Sequence, residues 1–234
     1  MGIRYKGIKY IQEIFHVTKC TDFSKLRLVQ IGDLFIRGDA HAFGIRHGKA
    51  FNYFRDLGFE VKTIDLGIGQ ERIGPEVLQY DLSKPIVEEI GEFDFVIDFG
   101  TSEHIENQYE LFKNIHKLCK INGVMIHSNP SPNYGSDHGL YHYTPSFYTQ
   151  LARICHYKII DVREMTTDYW AKDPPRKSHL HAALVRARGE FPSERRFGDA
   201  MKYLKVILGR ERRTLERTKK EQLEKKKLEQ EKGK

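Results

Sequence analysis

The sequence predicts an α/β fold: an open, mostly parallel sheet with helices on both faces. Three observations carry this. Between residues 26 and 187, short β-rich apolar runs alternate with segments whose apolar residues recur at helical spacing. One run, FDFVIDFG at 93–100, is apolar almost throughout, as a parallel strand buried on both faces is. Several runs close on Gly or Asp, which gathers polar and backbone-permissive residues at the carboxyl edge of the sheet.

Residues 8–18 form a leading helix, because Ile8, Ile11, Ile14 and Phe15 share one face. LRLVQIG (26–32) is the first strand. Residues 43–57 resume a helical pattern through Phe43, Ala50, Phe51, Phe54 and Leu57, and Gly58 stops it. EVKTIDL (60–66) is the second strand, and strand–helix–strand order implies a right-handed parallel crossover. Val77 to Asp81 is a short third strand and 93–100 the fourth. A helix follows from Ser102 to Cys119, with Ile105, Tyr109, Phe112, Ile115 and Cys119 at three- and four-residue steps. Asn122-Gly123 turns the chain into a fifth strand, VMIHS. Residues 129–143 are a loop rich in Pro, Gly, Tyr and His. Thr144 then caps a helix that has Pro145 at its first position and runs to Cys155. YKIIDV (157–162) and HLHAALVRA (179–187) are the sixth and seventh strands. No helical pattern separates them, so they pair antiparallel as an edge hairpin. Met201, Leu204 and Leu208 mark an apolar face of a further helix.

The chain has 234 residues, 39% hydrophobic and 12% aromatic, enough for one sizeable core. Its net charge of +7 is uneven: the last thirty residues carry 12 Lys+Arg against 6 Asp+Glu, so the body is close to neutral. A basic body would point to nucleic acid; this body does not. The tail interleaves its charges as a solvated helix does. Leu208 and Leu215 are a heptad apart, but Gln222 and Glu229 follow, so no coiled-coil seam continues. These features divide the chain into a helical extension (1–25), the α/β domain (26–190) and a charged helical tail (191–234).

Cys20, Cys119 and Cys155 form no CxxC motif, and reduced, mostly buried thiols are expected. Met1 to Tyr10 holds no signal-peptide core and no apolar run spans a bilayer. A soluble, cytoplasmic protein is the expectation.

Ligands of open α/β sheets bind at the carboxyl ends of the strands. The residues there are Gly32 and Asp33, Asp65, Asp81, and Asp98 with Gly100. An acid ending the second strand accepts hydrogen bonds from ribose hydroxyls. Asp65 fits that role, although it equally fits a turn before Gly67.

EFDFVIDFGTSEHIEN (92–107) resembles the fourth-strand motif of class I S-adenosylmethionine-dependent methyltransferases, of the shape FDxVxxxxxxEH. ELFKNIHKLCKINGVMIHSNP resembles the following helix and its L-K-x-G-G turn, with Asn122-Gly123 in place of Gly-Gly. HGLYHYTPSFYTQLARICHYKIIDV resembles the family's later segment, where a [FY]-[ST]-P helix start precedes strand six. The resemblance covers about residues 26–187 and is specific over 92–162. It implies a Rossmann-like seven-stranded sheet with the seventh strand antiparallel, and S-adenosylmethionine as cofactor. It implies that Asp65 binds the ribose hydroxyls, that Asp81 and Leu82 lie near the adenine, that Gly32 lets the backbone approach the cofactor, and that Asp98 and Gly100 line its methionine side. The family's first turn, D-x-G-x-G-x-G, is here QIGDLFIRGD, where Leu34, Phe35 and Ile36 would crowd that turn. Either a longer loop wraps the cofactor or binding is lost.

Methyl transfer needs the acceptor placed against the methyl group, and a hydroxyl or protonated amine gains from a general base. His104, His127, His138 and His142 are candidates. His138, in Asp137-His138-Gly139, is favoured because a loop after strand five can cover the acceptor. Tyr141, Tyr143 and His104 would shape the acceptor pocket. His138 and His142 are four apart, but Gly139 argues against the helix that would join them, so no metal site is expected. His179 and His181 face one side of strand seven and read as structural or exposed. The leading expectation is a methyltransferase acting on a small-molecule or sugar-type acceptor. The alternatives are an inactive methyltransferase-like binding module, and a nucleic-acid or protein methyltransferase that docks through the basic tail.

Overall fold

The computed structural model describes residues 2–46, 48–67, 77–87, 89–135, 137–166, 178–209 and 212–220. Seven strands form one sheet: β1 (Arg27–Ile31), β2 (Glu60–Asp65), β3 (Val77–Gln79), β4 (Phe93–Phe99), β5 (Cys119–Pro130), β6 (Lys158–Thr166) and β7 (Ser178–Val185). Their order is β6-β7-β5-β4-β1-β2-β3. All the pairings among β1 to β5 are parallel, whereas β7 runs antiparallel to both of its neighbours.

The sequence expectation put β7 at the sheet edge. It lies instead between β5 and β6, and β6 takes the edge. Burial explains the exchange. β7 (SHLHAALV) is apolar over most of its length and buried on both faces, whereas β6 (KIIDVREMT) is charged and half-exposed.

Helices cover both faces. α1 (Tyr5–Val17) and α2 (Ala50–Asp56) pack on one side, where Ile8, Ile11, Ile14, Phe15, Ala50 and Phe54 meet Leu28, Phe95 and Ile97. α3 (Gln108–Leu118), α4 (Pro145–Cys155) and α5 (Glu194–Met201) pack on the other, where Leu111, Phe112, Phe147, Leu151, Phe197 and Ala200 meet Val29, Val96 and Met125. Gly7 lets α1 lie close to the sheet: a Cβ there would stand 2.8 Å from the Phe99 ring.

Three expected helices differ in extent. The pattern at 43–57 yields a short 3-10 turn (Gly38–Phe43), a two-residue strand (Gly48–Lys49) and only then α2. Gly44 and Gly48 hold φ of +77° and +141°, which no helix continues through. The helix expected from Ser102 breaks likewise. Ser102–His104 is a 3-10 turn, and α3 starts six residues later, where the Asn107 side chain accepts from the Glu110 amide. Finally, Met201, Leu204 and Leu208 do not share a helix. α5 ends at Met201, Lys205–Val206 pairs with Tyr141–His142, and Leu208 is 73% exposed. The pairing also brings order to the loop expected at 129–143.

The start of α4 follows its sequence signal: Thr144 accepts from the Phe147 amide at 3.1 Å, with Pro145 at the first position. Residues 212–220 are helical and rest on the body. Leu215 packs against the main core and Arg212 lies over the Tyr141 ring, 3.7 Å from Glu106. The rest of the expected tail helix, 221–234, lies outside the described residues.

Candidate active site

At the carboxyl end of β1 the chain turns through Gly32, whose φ is +86° and whose amide donates to the Ile64 carbonyl at 2.7 Å. Asp65 closes this turn from the end of β2. Its Oδ2 accepts from the Asp33 amide at 2.8 Å and its Oδ1 from the Gly67 amide at 2.7 Å. Asp33 in turn pairs with Lys49 at 3.1 Å. A carboxylate thus organises a turn that the sequence motif would have built from glycines. Of the three apolar residues after it, two are taken into the core and Phe35 is left exposed. Leu34 and Ile36 are buried in the α1-side core, and Phe35–Ile36 pairs with Gly2–Ile3.

Asp81 holds Ser83 through the Ser83 amide (3.1 Å) and hydroxyl (2.6 Å), and pairs with Lys84 at 2.9 Å. The Leu82 side chain is buried in the main core.

Asp98, the last polar residue of β4, is fully buried. Its Oδ2 accepts from Ser102 Oγ (2.6 Å) and Asn129 Nδ2 (3.2 Å) and meets His127 Nδ1 at 3.1 Å. Its Oδ1 accepts from the amides of Thr101 (3.3 Å) and Ser102 (3.2 Å). Burial alone would raise its pKa, but the hydrogen bonds from His127, Ser102 and Asn129 outweigh it and hold the carboxyl below its ordinary value. Asp98 therefore shapes the turn that carries Gly100, whose φ is +84°.

Asn129 links this turn to the next acid. Its Nδ2 also donates to Glu103 Oε2 at 3.2 Å, and its Oδ1 accepts from Tyr148 at 2.5 Å. Glu103 Oε1 faces two histidines, with His138 Nε2 at 3.6 Å and His104 Nε2 at 3.9 Å. The His104 and His138 rings meet edge to face at 4.8 Å, and Tyr134 stacks on His138.

Glu103 and His138 border a cavity of about 330 Å³ at the carboxyl ends of β4 and β5, whose wall includes Gly100 and Ser128. Arg4 and Arg37 reach it from the N-terminal segment and the loop after β1. His181 of β7 completes the wall. Its side chain is 0% exposed, and among the described residues neither ring nitrogen has a hydrogen-bond partner. Burial, with His179 and Arg163 nearby, pushes its pKa down to about 3, so the ring is neutral.

The structure therefore brings His138 and His104 together with Gly100, and adds Glu103, Asn129 and His181, which the sequence did not single out as ligand-binding. Glu103 lay within the recognised EH pair, and His181 within an alternating pair on a strand, so a signal existed for each. Tyr141 and Tyr143 are not on the cavity wall. Both are buried, the Tyr141 hydroxyl donating to the Glu106 carbonyl (3.0 Å) and that of Tyr143 to Gln108 Oε1 (2.7 Å). His138 and His142 do not converge by their rings: His142 Nε2 lies 3.1 Å from the His138 carbonyl.

The family model described as a methyltransferase domain matches residues 43–185. The chain belongs to this family, the class I S-adenosylmethionine-dependent methyltransferases. The fold of this methyltransferase is similar to that of two solved structures. An S-adenosylmethionine-dependent methyltransferase from Mesorhizobium loti superposes with TM-score 0.51 at 14% identity, over 74% of this chain and 96% of that one. The Listeria monocytogenes protein assigned to the same enzymes gives TM-score 0.50 at 18% identity, over 78% and 100%. At these identities the likeness is one of fold. No curated protein matches the methyltransferase sequence. Among its described residues no helix is long and apolar enough to cross a membrane.

Proposed function

We propose that this methyltransferase moves the methyl group of S-adenosylmethionine to a small polar acceptor held in the cavity beside Gly100. The observation behind the acceptor assignment is His181, a buried imidazole on the cavity wall whose two nitrogens have no hydrogen-bond partner among the described residues. Buried polar atoms are seldom left unpaired, so an acceptor oxygen or nitrogen is the fitting partner. A volume of about 330 Å³ suits a small molecule. The near-neutral body offers little to a phosphate backbone, which argues against nucleic acid as the acceptor.

S-adenosylmethionine supplies an electrophilic methyl group on a sulfonium centre. The strand ends fit this donor. Gly32 and Gly100, both in left-handed conformation, let a ligand approach the backbone of the turns after β1 and β4. The Asp65 carboxylate keeps lone pairs beyond those used by Asp33 and Gly67, and these would accept hydrogen bonds from the ribose hydroxyls. Asp81 and the backbone of Leu82 would border the adenine. Asp98 acts from behind by fixing the Gly100 turn. The acceptor's proton leaves toward the corner formed by Glu103, His104 and His138. The cytoplasm suits the chain's thiols: Cys119 and Cys155 are free and buried, and burial pushes both up to about 12, so neither is a nucleophile.

Calorimetric titration with S-adenosylmethionine and S-adenosylhomocysteine tests the donor site, with Asp65→Ala beside the wild type. Binding that the variant loses supports it; no binding by a folded wild type overturns the enzyme reading and leaves a binding module. With an acceptor found by label transfer, His181→Phe raises KM for acceptor and leaves donor affinity unchanged. Deleting residues 221–234 leaves transfer to a small acceptor intact. A loss that grows at low salt would instead support docking on a phosphate-rich partner.

A further inference from the structure

We infer that Glu103, His104 and His138 form a binding site for one divalent transition-metal ion, of the zinc or cobalt class. The three ligand atoms all lie within 4.8 Å of one another. Both Glu103 Oε1 distances, 3.6 Å to His138 and 3.9 Å to His104, are too long for hydrogen bonds. They are close to the roughly 3.4 Å that separates two ligands of a tetrahedral ion with bonds of about 2.1 Å. The half-exposed histidines need only small side-chain rotations to close on such an ion.

Two further features show that the corner is built. The buried Glu103 carboxylate is oriented: Asn129 donates to Oε2, and Asn129 is itself fixed by Tyr148 and Asp98, which leaves Oε1 for the histidines. Hydrogen-bonded outer groups of this kind commonly orient metal ligands. The loop that carries His138 is also fitted onto Glu103. The Leu140 amide donates to the Glu103 carbonyl at 2.7 Å, and Gly139, at φ +77°, has its α-carbon so close that a Cβ would stand 2.9 Å from the Glu103 side chain. Two imidazoles and one carboxylate suit first-row divalent ions and leave positions open. Glu103 and His138 border the cavity, so an open position is available to a ligand there. A role in the reaction rests on the proposed function: the ion would bind an acceptor oxygen or nitrogen and lower its pKa so that the proton is released to solvent water, the corner of Glu103, His104 and His138 then acting as ligands and not as the proton acceptor. The site itself does not depend on that role.

The test uses the full chain, freed of metal with a chelator. Zinc is titrated by calorimetry and cobalt by its visible absorption. The expected result is one ion per chain with ligand-field bands, and at least about tenfold weaker binding in both Glu103→Gln and His138→Ala. His16→Ala, on the exposed face of α1, should bind as the wild type does. Circular dichroism checks that each variant folds, and His138→Ala, in a loop, keeps the test valid if Glu103→Gln does not fold. No binding by the folded wild type, or zinc affinity unchanged in His138→Ala, overturns the site. S-adenosylmethionine titrated into the same metal-free sample reports on the methyltransferase reading separately, so the two failures are distinguishable.

Discussion

Asp98 and His127 stand directly opposite each other on β4 and β5, with Asp98 Oδ2 3.1 Å from His127 Nδ1 and both side chains buried. The pair sits beneath the turn that carries Gly100. Replacing Asp98 with Ala strands the Ser102, Asn129 and His127 partners in the core. A loss of about 3–5 kcal/mol is expected from urea unfolding. Because the folded pKa of Asp98 lies below its unfolded value of about 4, its contribution is complete above that pH and lost as pH falls through the folded value. The gap between wild type and variant should therefore narrow in acid; a gap independent of pH would refute the assignment.

His116 gives a dependence in a different window. Burial first, then the Arg186 charge, lowers its pKa to about 4, and its Nδ1 lies 2.7 Å from the Tyr157 hydroxyl. The native ring is neutral, while the unfolded chain takes up a proton near pH 6.5. Between those values the unfolded state binds more protons, so stability falls as pH is lowered from 6.5 to about 4. Denaturant unfolding at pH 7 and pH 4.5 should show the wild type losing about 2 kcal/mol more than His116→Gln. Equal losses would mean that His116 is not held neutral.

Two glycines should respond to alanine in opposite directions. At Gly139, φ is +77° and a Cβ would press on Glu103, so Ala costs roughly 1–2 kcal/mol for the backbone and more for the contact. At Gly198, inside α5, a Cβ meets nothing within 4 Å, and Ala should stabilise by about 0.5–1 kcal/mol. Thermal melts of the two variants check this, and a stabilised Gly139→Ala would contradict the fit of the loop to Glu103.

The Arg212 and Lys219 contacts with Glu106 tie residues 212–220 to the body. Glu106→Gln should speed amide exchange across 212–220 and leave global stability within about 0.5 kcal/mol. Unchanged exchange would assign the docking to Leu215 alone.

Period and punctuation in the sequence determined most of the fold. Apolar runs set the seven strands, helical spacing set α1, α3 and α4, and Thr144-Pro145 set the start of α4, because each depends on neighbours a few residues away. Local pattern also marked Gly32, Asp65 and Gly100 at the strand ends. Only the tertiary structure decided that β6 and not β7 holds the edge, since that turns on which strand buries both faces. It alone decided that Tyr143 belongs to the core and that Asp65 organises the first turn through the Asp33 amide. It also brought His138 to Glu103, thirty-five residues away in the chain, and placed His181 on the wall of the same cavity. No periodicity records such meetings, because they depend on how loops cross the carboxyl edge of a sheet once its strands are ordered.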